Sequence, residues 1–409
     1  MDGLTTSLEV ADFKDAHSHR STNNPSELEL NIRISKITGR PVLYFPYMAI
    51  SDIHWGSRFT RAKRLCMALR DFESDELKIL GDTVGGVEMT KKKTWHMGPW
   101  HRQGIALVLQ KTKISAVTNL DGNHEAGLDR FLRTPKHLYG IELRKTSTHR
   151  DPKGRLFLEE HGDDHDRHVF KTPESQAWWY SIGDSLLNIG GEVDLILQDK
   201  LRLENASVAR AAKRLFKTLI NKKMGVLAAM EREIDASHYD GNVSGHSHMG
   251  GFHYTPGGKL LINDGCCTDH VQFVVHDRHG NWALIEHHRD RMIIEMENGT
   301  KYTKIWKELE LDHFSAPPRE QDNIYTERAD RLLRLASHLW PSRDRQKLNE
   351  EIVEQNHVIE RLLKAAAVEV APECIVTAIE EAKLRQQTLC MLRRQAPYSA
   401  RVSPMKLAA

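Results

Sequence analysis

The sequence predicts an α/β fold, with a layered core of strands and helices, a helical insertion, and a helical C-terminal extension. Three observations carry this. Strand-like and helix-like runs alternate from about residue 42 to about 166. Strand signals return between about 241 and 290. The stretches at about 167–236 and after about 300 keep helical spacing without strand signals. Alternation of the first kind builds layered sheets whose strand ends carry loops available for chemistry.

The elements follow in order. Residues 1–41 form a polar N-terminal segment, broken by "LELNIRIS", where Leu28, Leu30, Ile32 and Ile34 alternate with polar residues as on a half-buried strand. "VLYFPYMAI" reads as a buried strand ending on a polar turn. "RAKRLCMALRDF" and "WHRQGIALVLQKT" read as helices, and "LKIL", "ISAVTNL" and "GRLFLEE" as strands. Within the insertion, Val208, Ala212, Leu215 and Leu219 fall on one helical stripe, flanked by basic residues that include Arg210, Arg214 and Lys217. "GNVSGHSH", "GFHYT", "GKLLIND", "VQFVVHD" and "NWALIEH" return as strands, the last two joined by the Gly-Asn turn of "DRHGN". From Tyr325 onward, apolar residues recur at helical spacing, with breaks at Pro341 and Pro372. The expected organisation is an N-terminal segment (1–41), a core domain (42–300, insertion at about 167–236) and a helical extension (301–409).

Composition narrows the class. The chain has 409 residues, is 40% hydrophobic and 28% charged, and carries a net charge of +2. No global field steers it to nucleic acid or anionic lipid, so any basic patch is local. Five cysteines without a framework spacing fit a reducing compartment, and Cys266 and Cys267 read as adjacent free thiols. There is no signal-peptide pattern and no apolar run near the roughly 18 residues of a membrane span. The expectation is a soluble, cytoplasmic protein.

Five predicted strand ends carry the same class of residue. "AISDIHWGS" supplies Asp52 and His54, "KILGDTVGG" Asp82, "TNLDGNHEA" Asn123 and His124, "LFLEEHGDDHD" His161, and "VSGHSHMG" His246 and His248. Singly, each has an ordinary explanation, since an aspartate after a strand is most often a turn or cap residue. In extended chain, residues i and i+2 face the same side, so Asp52 with His54, and His246 with His248, can each present two side chains together. Neighbouring glycines let the backbone turn sharply beside an ion. Such a mixed nitrogen and oxygen set is too large for one ion and suits two. The other His-Ser-His, at His17 and His19, lies in a polar tail with no strand before it and reads as solvated.

The order Asp-x-His, Gly-Asp, Gly-Asn-His-Glu, His, Gly-His-x-His resembles that of the calcineurin-like metallophosphoesterases across roughly residues 44–290. That resemblance implies a β-sandwich flanked by helices and two divalent ions. Manganese is the first expectation, with magnesium, iron or zinc as alternatives. It implies that Asp52, His54 and His248 hold one ion and Asn123, His161 and His246 the other, with Asp82 bridging. His124 would give a proton or hydrogen bond to the leaving oxygen. "SDIHWGSRFTRA", "HGDDHD" and "LINDGCCTDHVQFVVHDRHGNWALIEH" are similar to the branch containing UDP-2,3-diacylglucosamine diphosphatases. Cys266 and Cys267 stand where that branch has an acidic and an aromatic residue, and Gly85 or Gly86 where it has an aspartate.

The branch implies hydrolysis of a phosphodiester or pyrophosphate, with a nucleotide-linked lipid as substrate and a peripheral contact with the inner membrane face. It also implies a helical cap in which Arg210, Arg214 and Lys217 meet phosphates; the same residues read equally as a solvated surface helix. The alternative enzyme is a nuclease or cyclic-nucleotide phosphodiesterase of the same superfamily, acting on nucleic acid in the first case. A non-catalytic scaffold would have lost ligands, and none of the seven is missing. The C-terminal helices suit packing or homo-oligomer formation.

Overall fold

The chain enters the core at β1 (Asn31–Ile34) and β2 (Pro41–Ile50). β2 is buried along nearly all its length, as expected of an apolar strand covered on both faces. α1 (Ala62–Asp71) carries the chain to β3 (Phe72–Ile79), parallel to β2, and α2 (Pro99–Lys111) to β4 (Ala116–Leu120), parallel to β3. A hairpin of β5 (Lys136–Leu138) and β6 (Ile141–Arg144) extends that edge. A second sheet begins with β7 (Ser147–Arg150) and β8 (Leu156–Glu160). After α3 (Val226–Ala236) it gains β9 (Gly241–Ser244), parallel to β8, and then β10 (Gly251–Tyr254) and β11 (Leu260–Asn263). β12 (Val271–His276) returns to the first sheet antiparallel to β2, and β13 (Trp282–His287), β14 (Arg291–Met296) and β15 (Lys301–Ile305) continue it as an antiparallel ribbon.

This is a computed structural model that describes residues 27–57, 59–84, 98–125, 136–168, 226–268, 270–309, 311, 325–330, 353–360, 379, 382–383 and 386. The large sheet runs β15-β14-β13-β12-β2-β3-β4-β6-β5, with β1 also on β2, and the small sheet runs β10-β11-β9-β8-β7. The fold is therefore α/β, with two mixed sheets flanked by helices. Two apolar layers hold it. Leu65 and Leu69 of α1 and Ile105 and Leu109 of α2 join Phe45, Phe72 and Phe273 on one face of the large sheet. Between the sheets lie Tyr47, Leu120, Phe157, Val243, Ile262 and Trp282. Trp282 is fully buried, and its Nε1 donates to Asp151 Oδ2 at 3.2 Å, which satisfies the one polar atom in its ring.

α2 also fixes the loop that follows β2. Gly104 lies so close to Trp55 that any Cβ there would overlap its ring, and Trp55 is buried directly after His54. We expect Gly104→Val to cost about 1–3 kcal/mol of stability, the usual range for overpacking, measured as a fall in Tm. An unchanged Tm would mean that Trp55 does not hold this packing.

Several sequence expectations need correcting. Leu28 is buried, but Ile32 and Ile34 are 44% and 63% exposed, so β1 is not the half-buried strand expected. It pairs only with Pro41–Tyr44 at the margin of the sheet, where no layer among the described residues covers that face. β3 starts at Phe72, well ahead of "LKIL" and immediately after α1. Its polar beginning escapes the hydrophobic pattern because buried Glu73 is partnered by Ser35 Oγ at 2.5 Å and Arg33 at 3.1 Å. β5, β6, β7, β14 and β15 were not expected from the sequence. Of the helical insertion, α3 is described, and a 3₁₀ turn at Asp163–His168 leads into the insertion. Arg210, Arg214 and Lys217 lie outside the described residues. The expected helical extension from 301 instead opens with strand β15; beyond it, 325–330 and 353–360 are helical, and Ala329, Ile359 and Ala382 are buried. No described helix is long and apolar enough to cross a membrane.

Candidate metal centre

The parallel strands β2, β3 and β4 of the large sheet, and β8 and β9 of the small one, deliver their C-terminal ends to one place. Backbone bonds set their heights: Asp52 N–H to Gly81 O at 3.2 Å, His54 N–H to Asp82 O at 2.9 Å, and Gly245 N–H to His161 O at 3.1 Å. His161 Nδ1 lies 2.8 Å from Leu80 O, tying β8 to the end of β3. With that nitrogen donating to the carbonyl, Nε2 is left as the nitrogen that could ligate a metal. The His246 N–H donates to Asp52 Oδ2 at 2.8 Å, joining the two sheets at the site.

The backbone here does something the sequence does not announce. Asp52, His54, Asp82, His246 and His248 have φ between 50° and 61°, in the left-handed region. They are five of the six non-glycine residues with positive φ among the described residues. The paired side chains are therefore not presented by extended chain, as their i and i+2 spacing suggested. β2 and β9 end at Ile50 and Ser244, and left-handed residues alternate after them. Each such conformation costs about 1–3 kcal/mol and persists where surrounding structure enforces it, most often at functional sites.

Three overlapping triads have ligand atoms within 4.8 Å of one another: Asp52, His54 and His248; His54, Asp82 and His124; Asp52, Asp82 and His161. Asp52 Oδ1 is 2.9 Å from His248 Nε2 and 3.8 Å from His54 Nε2. Asp82 Oδ2 is 3.7 Å from both His54 Nε2 and His124 Nε2, and its Oδ1 is 3.4 Å from His161 Nε2. Asn123 Oδ1 lies 3.1 Å from His161 Nε2, and the His246 and His161 rings are 5.0 Å apart. Asn123 and His246 thus sit beside His161 but outside the three triads. His124 stands within one, its backbone N–H on Asp82 Oδ1 at 2.8 Å and its ring 4.4 Å from that of His54.

The charges are arranged for cations. Asp52 and Asp82 are essentially buried. Burial opposes their ionisation, but it is outweighed at Asp52 by His248 and His161, and at Asp82 by His124, His161 and His54. Both carboxyls are held below the usual range. Burial likewise opposes a charge on His161, yet Asp82, which it hydrogen-bonds, and Asp52 push its pKa well above the ordinary 6.5. Protons on imidazole thus neutralise the carboxylates. Divalent cations can take over that role on the same atoms, and a mixed carboxylate, imidazole and amide set suits them.

A pH dependence follows. His161 must lose its proton to bind a metal, and its raised pKa keeps that proton at and above pH 6.5. Metal affinity should therefore rise with pH through neutrality, by up to about tenfold per pH unit for one displaced proton, and fall as pH drops. Calorimetry of Mn²⁺ binding in buffers of different ionisation enthalpy should register proton release near pH 7. No release would mean that His161 is already neutral.

Sequence reading did not single out Ser51, Gly245 or Asp264 for roles at the site. Ser51 Oγ lies 2.6 Å from both Asp52 Oδ2 and Asp264 Oδ1. Gly245 leaves no room for a side chain against Ser51. Asp264 is fully buried, and its carboxyl is raised well above the usual range by burial and then by the charge on Asp52. It follows directly on β11, the same strand-end signal that marked Asp52 and Asp82, and that signal could have found it.

No protein-family model and no curated protein matches the chain. Among solved structures it is similar to a Streptococcus pneumoniae TIGR4 protein described as a predicted phosphoesterase, with 10% identity over 63% of this chain and 96% of that one, at TM-score 0.24. It is similar to Vacuolar Protein Sorting 29 from Cryptosporidium parvum, with 14% identity, 63% and 94% coverage, and TM-score 0.24. A dimetal phosphatase from Danio rerio has 12% identity, 63% and 98% coverage, and TM-score 0.28. At such scores the likeness is too loose to bear on chemistry, which must be read from the side chains.

Proposed function

We propose that the chain is a dinuclear metal-dependent hydrolase of phosphoric ester or anhydride bonds, of the calcineurin-like metallophosphoesterase kind. One observation carries this reading above the rest. Four left-handed residues from three strand ends, Asp52, His54, Asp82 and His248, form overlapping groups within ligand reach with His124 and His161. Asp52, His54 and His248 would hold one cation and Asn123, His161 and His246 the other, with Asp82 between them. When bound, such a pair of cations lowers the pKa of a water between them and neutralises phosphoryl oxygens.

The chain's own residues do the rest. Asp52 Oδ2 is engaged by Ser51 and the His246 N–H, which leaves Oδ1 as the oxygen that would hold a cation. His161 is oriented by Leu80 O. His124, anchored through its backbone on Asp82 and with its side chain 20% exposed, can hold a proton at a ring nitrogen for the leaving oxygen.

The finer reading is a substrate like that of the UDP-2,3-diacylglucosamine diphosphatases, a nucleotide-linked lipid pyrophosphate met at a membrane surface. It is supported by the "LINDG" block, from which the following Cys266 and Cys267 depart, and by the basic stretch holding Arg210, Arg214 and Lys217. Manganese is the first metal to try. The test is an assay of Mn²⁺-loaded protein on a generic phosphodiester, a phosphomonoester, single-stranded DNA and a UDP-linked lipid pyrophosphate. Preferred turnover of the pyrophosphate is the expected result. Preference for DNA would move the assignment to a nuclease, and inactivity on all four would defeat the reading.

A further inference from the structure

We infer that Asp264 is a positioning residue of the metal site, acting through Ser51 to aim the Asp52 carboxylate. The inference rests on the metal-site reading above and deepens it. Three side chains form a chain of short contacts: Asp264 Oδ1, Ser51 Oγ and Asp52 Oδ2, each step 2.6 Å. Asp264 and Ser51 are 213 positions apart and follow strands of different sheets, so the contact is built by the fold rather than by local sequence. It is also clamped. The Asp264 N–H donates to Ser244 O, at the end of the neighbouring strand β9, at 3.0 Å. Asn263 Nδ2 donates to Gly245 O at 2.5 Å, and Gly245 has no side chain because one would overlap Ser51 Oγ.

A count of hydrogens decides how the chain works. The Ser51 hydroxyl has one hydrogen and sits at bonding distance from two carboxyl oxygens. Two ionised carboxylates would leave one of the contacts without a proton and place two like charges in a buried space. One carboxyl must therefore donate. Asp52 is the wrong donor, because its Oδ2 also accepts the His246 N–H at 2.8 Å and its Oδ1 faces His248 Nε2 at 2.9 Å. Asp264 is the better one. Its Oδ2 is buried with no hydrogen-bond partner among the described residues, a far smaller cost for the carbonyl of a neutral acid than for an anion. Asp264 thus donates to Ser51 Oγ, Ser51 donates to Asp52 Oδ2, and Asp52 Oδ1 is left for the cation. The proton stays on Asp264; nothing is transferred.

The test combines metal affinity with a readout that needs no metal. Mn²⁺ binding would be measured by calorimetry for the wild type, Asp264→Asn, Asp264→Ala and Ser51→Ala. Metal-free wild type and Asp264→Asn would be compared by infrared difference spectroscopy. The expected result is a protonated-carboxyl C=O band in the wild type that Asp264→Asn lacks. Asp264→Asn should keep affinity close to wild type, because an amide N–H can make the same bond. Ser51→Ala and Asp264→Ala should weaken binding by about 10–100-fold, the usual loss when a ligand's orienting partner is removed.

Absence of the band overturns the inference. So does an Asp264→Asn that loses as much affinity as Asp264→Ala, or alanine variants that bind as the wild type does. If Asp264→Ala fails to fold, Asp264→Asn and Ser51→Ala decide. A wild type that binds no Mn²⁺ defeats the metal-site reading instead, and the infrared band then decides the hydrogen-bonded chain alone.

Discussion

Asp82→Ala is expected to lose bound metal and activity together. Asp82 is buried, belongs to two of the three triads, and faces His54, His124 and His161 at 3.4–3.7 Å. Its loss removes the carboxylate common to both proposed ion positions. Metal-based stabilisation of a phosphoryl transition state is worth several kcal/mol, so turnover should fall by about 10³-fold or more. Elemental analysis should find well under two equivalents of metal after reconstitution. Raising the pH should not restore the wild-type metal content, since the missing group is a ligand. Full metal content would show that Asp82 does not bridge.

His124→Ala is expected to separate chemistry from binding. If His124 serves the leaving oxygen, turnover should fall by about 10²–10⁴-fold while both metals remain. The geometry makes this a sharp choice, because His124 Nε2 also lies within the reach of a triad with His54 and Asp82. Turnover lost together with metal would make it a ligand. Turnover lost with metal retained, and lost most on substrates with poor leaving groups, would make it the proton donor. Unchanged turnover on such substrates would remove it from the mechanism.

Much of this site could be read in the sequence, for a physical reason. Parallel strands ending on polar residues announce where chemistry collects, and five such ends follow one another in order. β2, α1, α2, β4, β8, β9, β11, β12 and β13 were all legible because their apolar residues keep a strand or helix rhythm. What escaped did so where burial was polar. β7, with the sequence Ser-Thr-His-Arg, has no apolar residue, yet Ser147 and His149 are buried; His149 Nε2 meets His276 Nε2 at 2.8 Å, and Ser147 hydrogen-bonds Glu159. The front of β3 hid behind Glu73 in the same way. The left-handed backbone at Asp52, His54, Asp82, His246 and His248 could not be read at all, since no glycine marks those positions. Asp264 was missed for a different reason. It carried the right signal, a carboxylate after a strand, but its role depends on Ser51, which only the packing of two sheets brings near.

The central claim is that these strand ends form one site for two cations. Anomalous diffraction from crystals of the Mn²⁺-loaded protein tests it most directly. The account predicts two anomalous peaks flanking Asp82, one bounded by Asp52, His54 and His248 and the other by Asn123, His161 and His246. No peak within reach of Asp52 and Asp82, or peaks only elsewhere on the molecule, would contradict it.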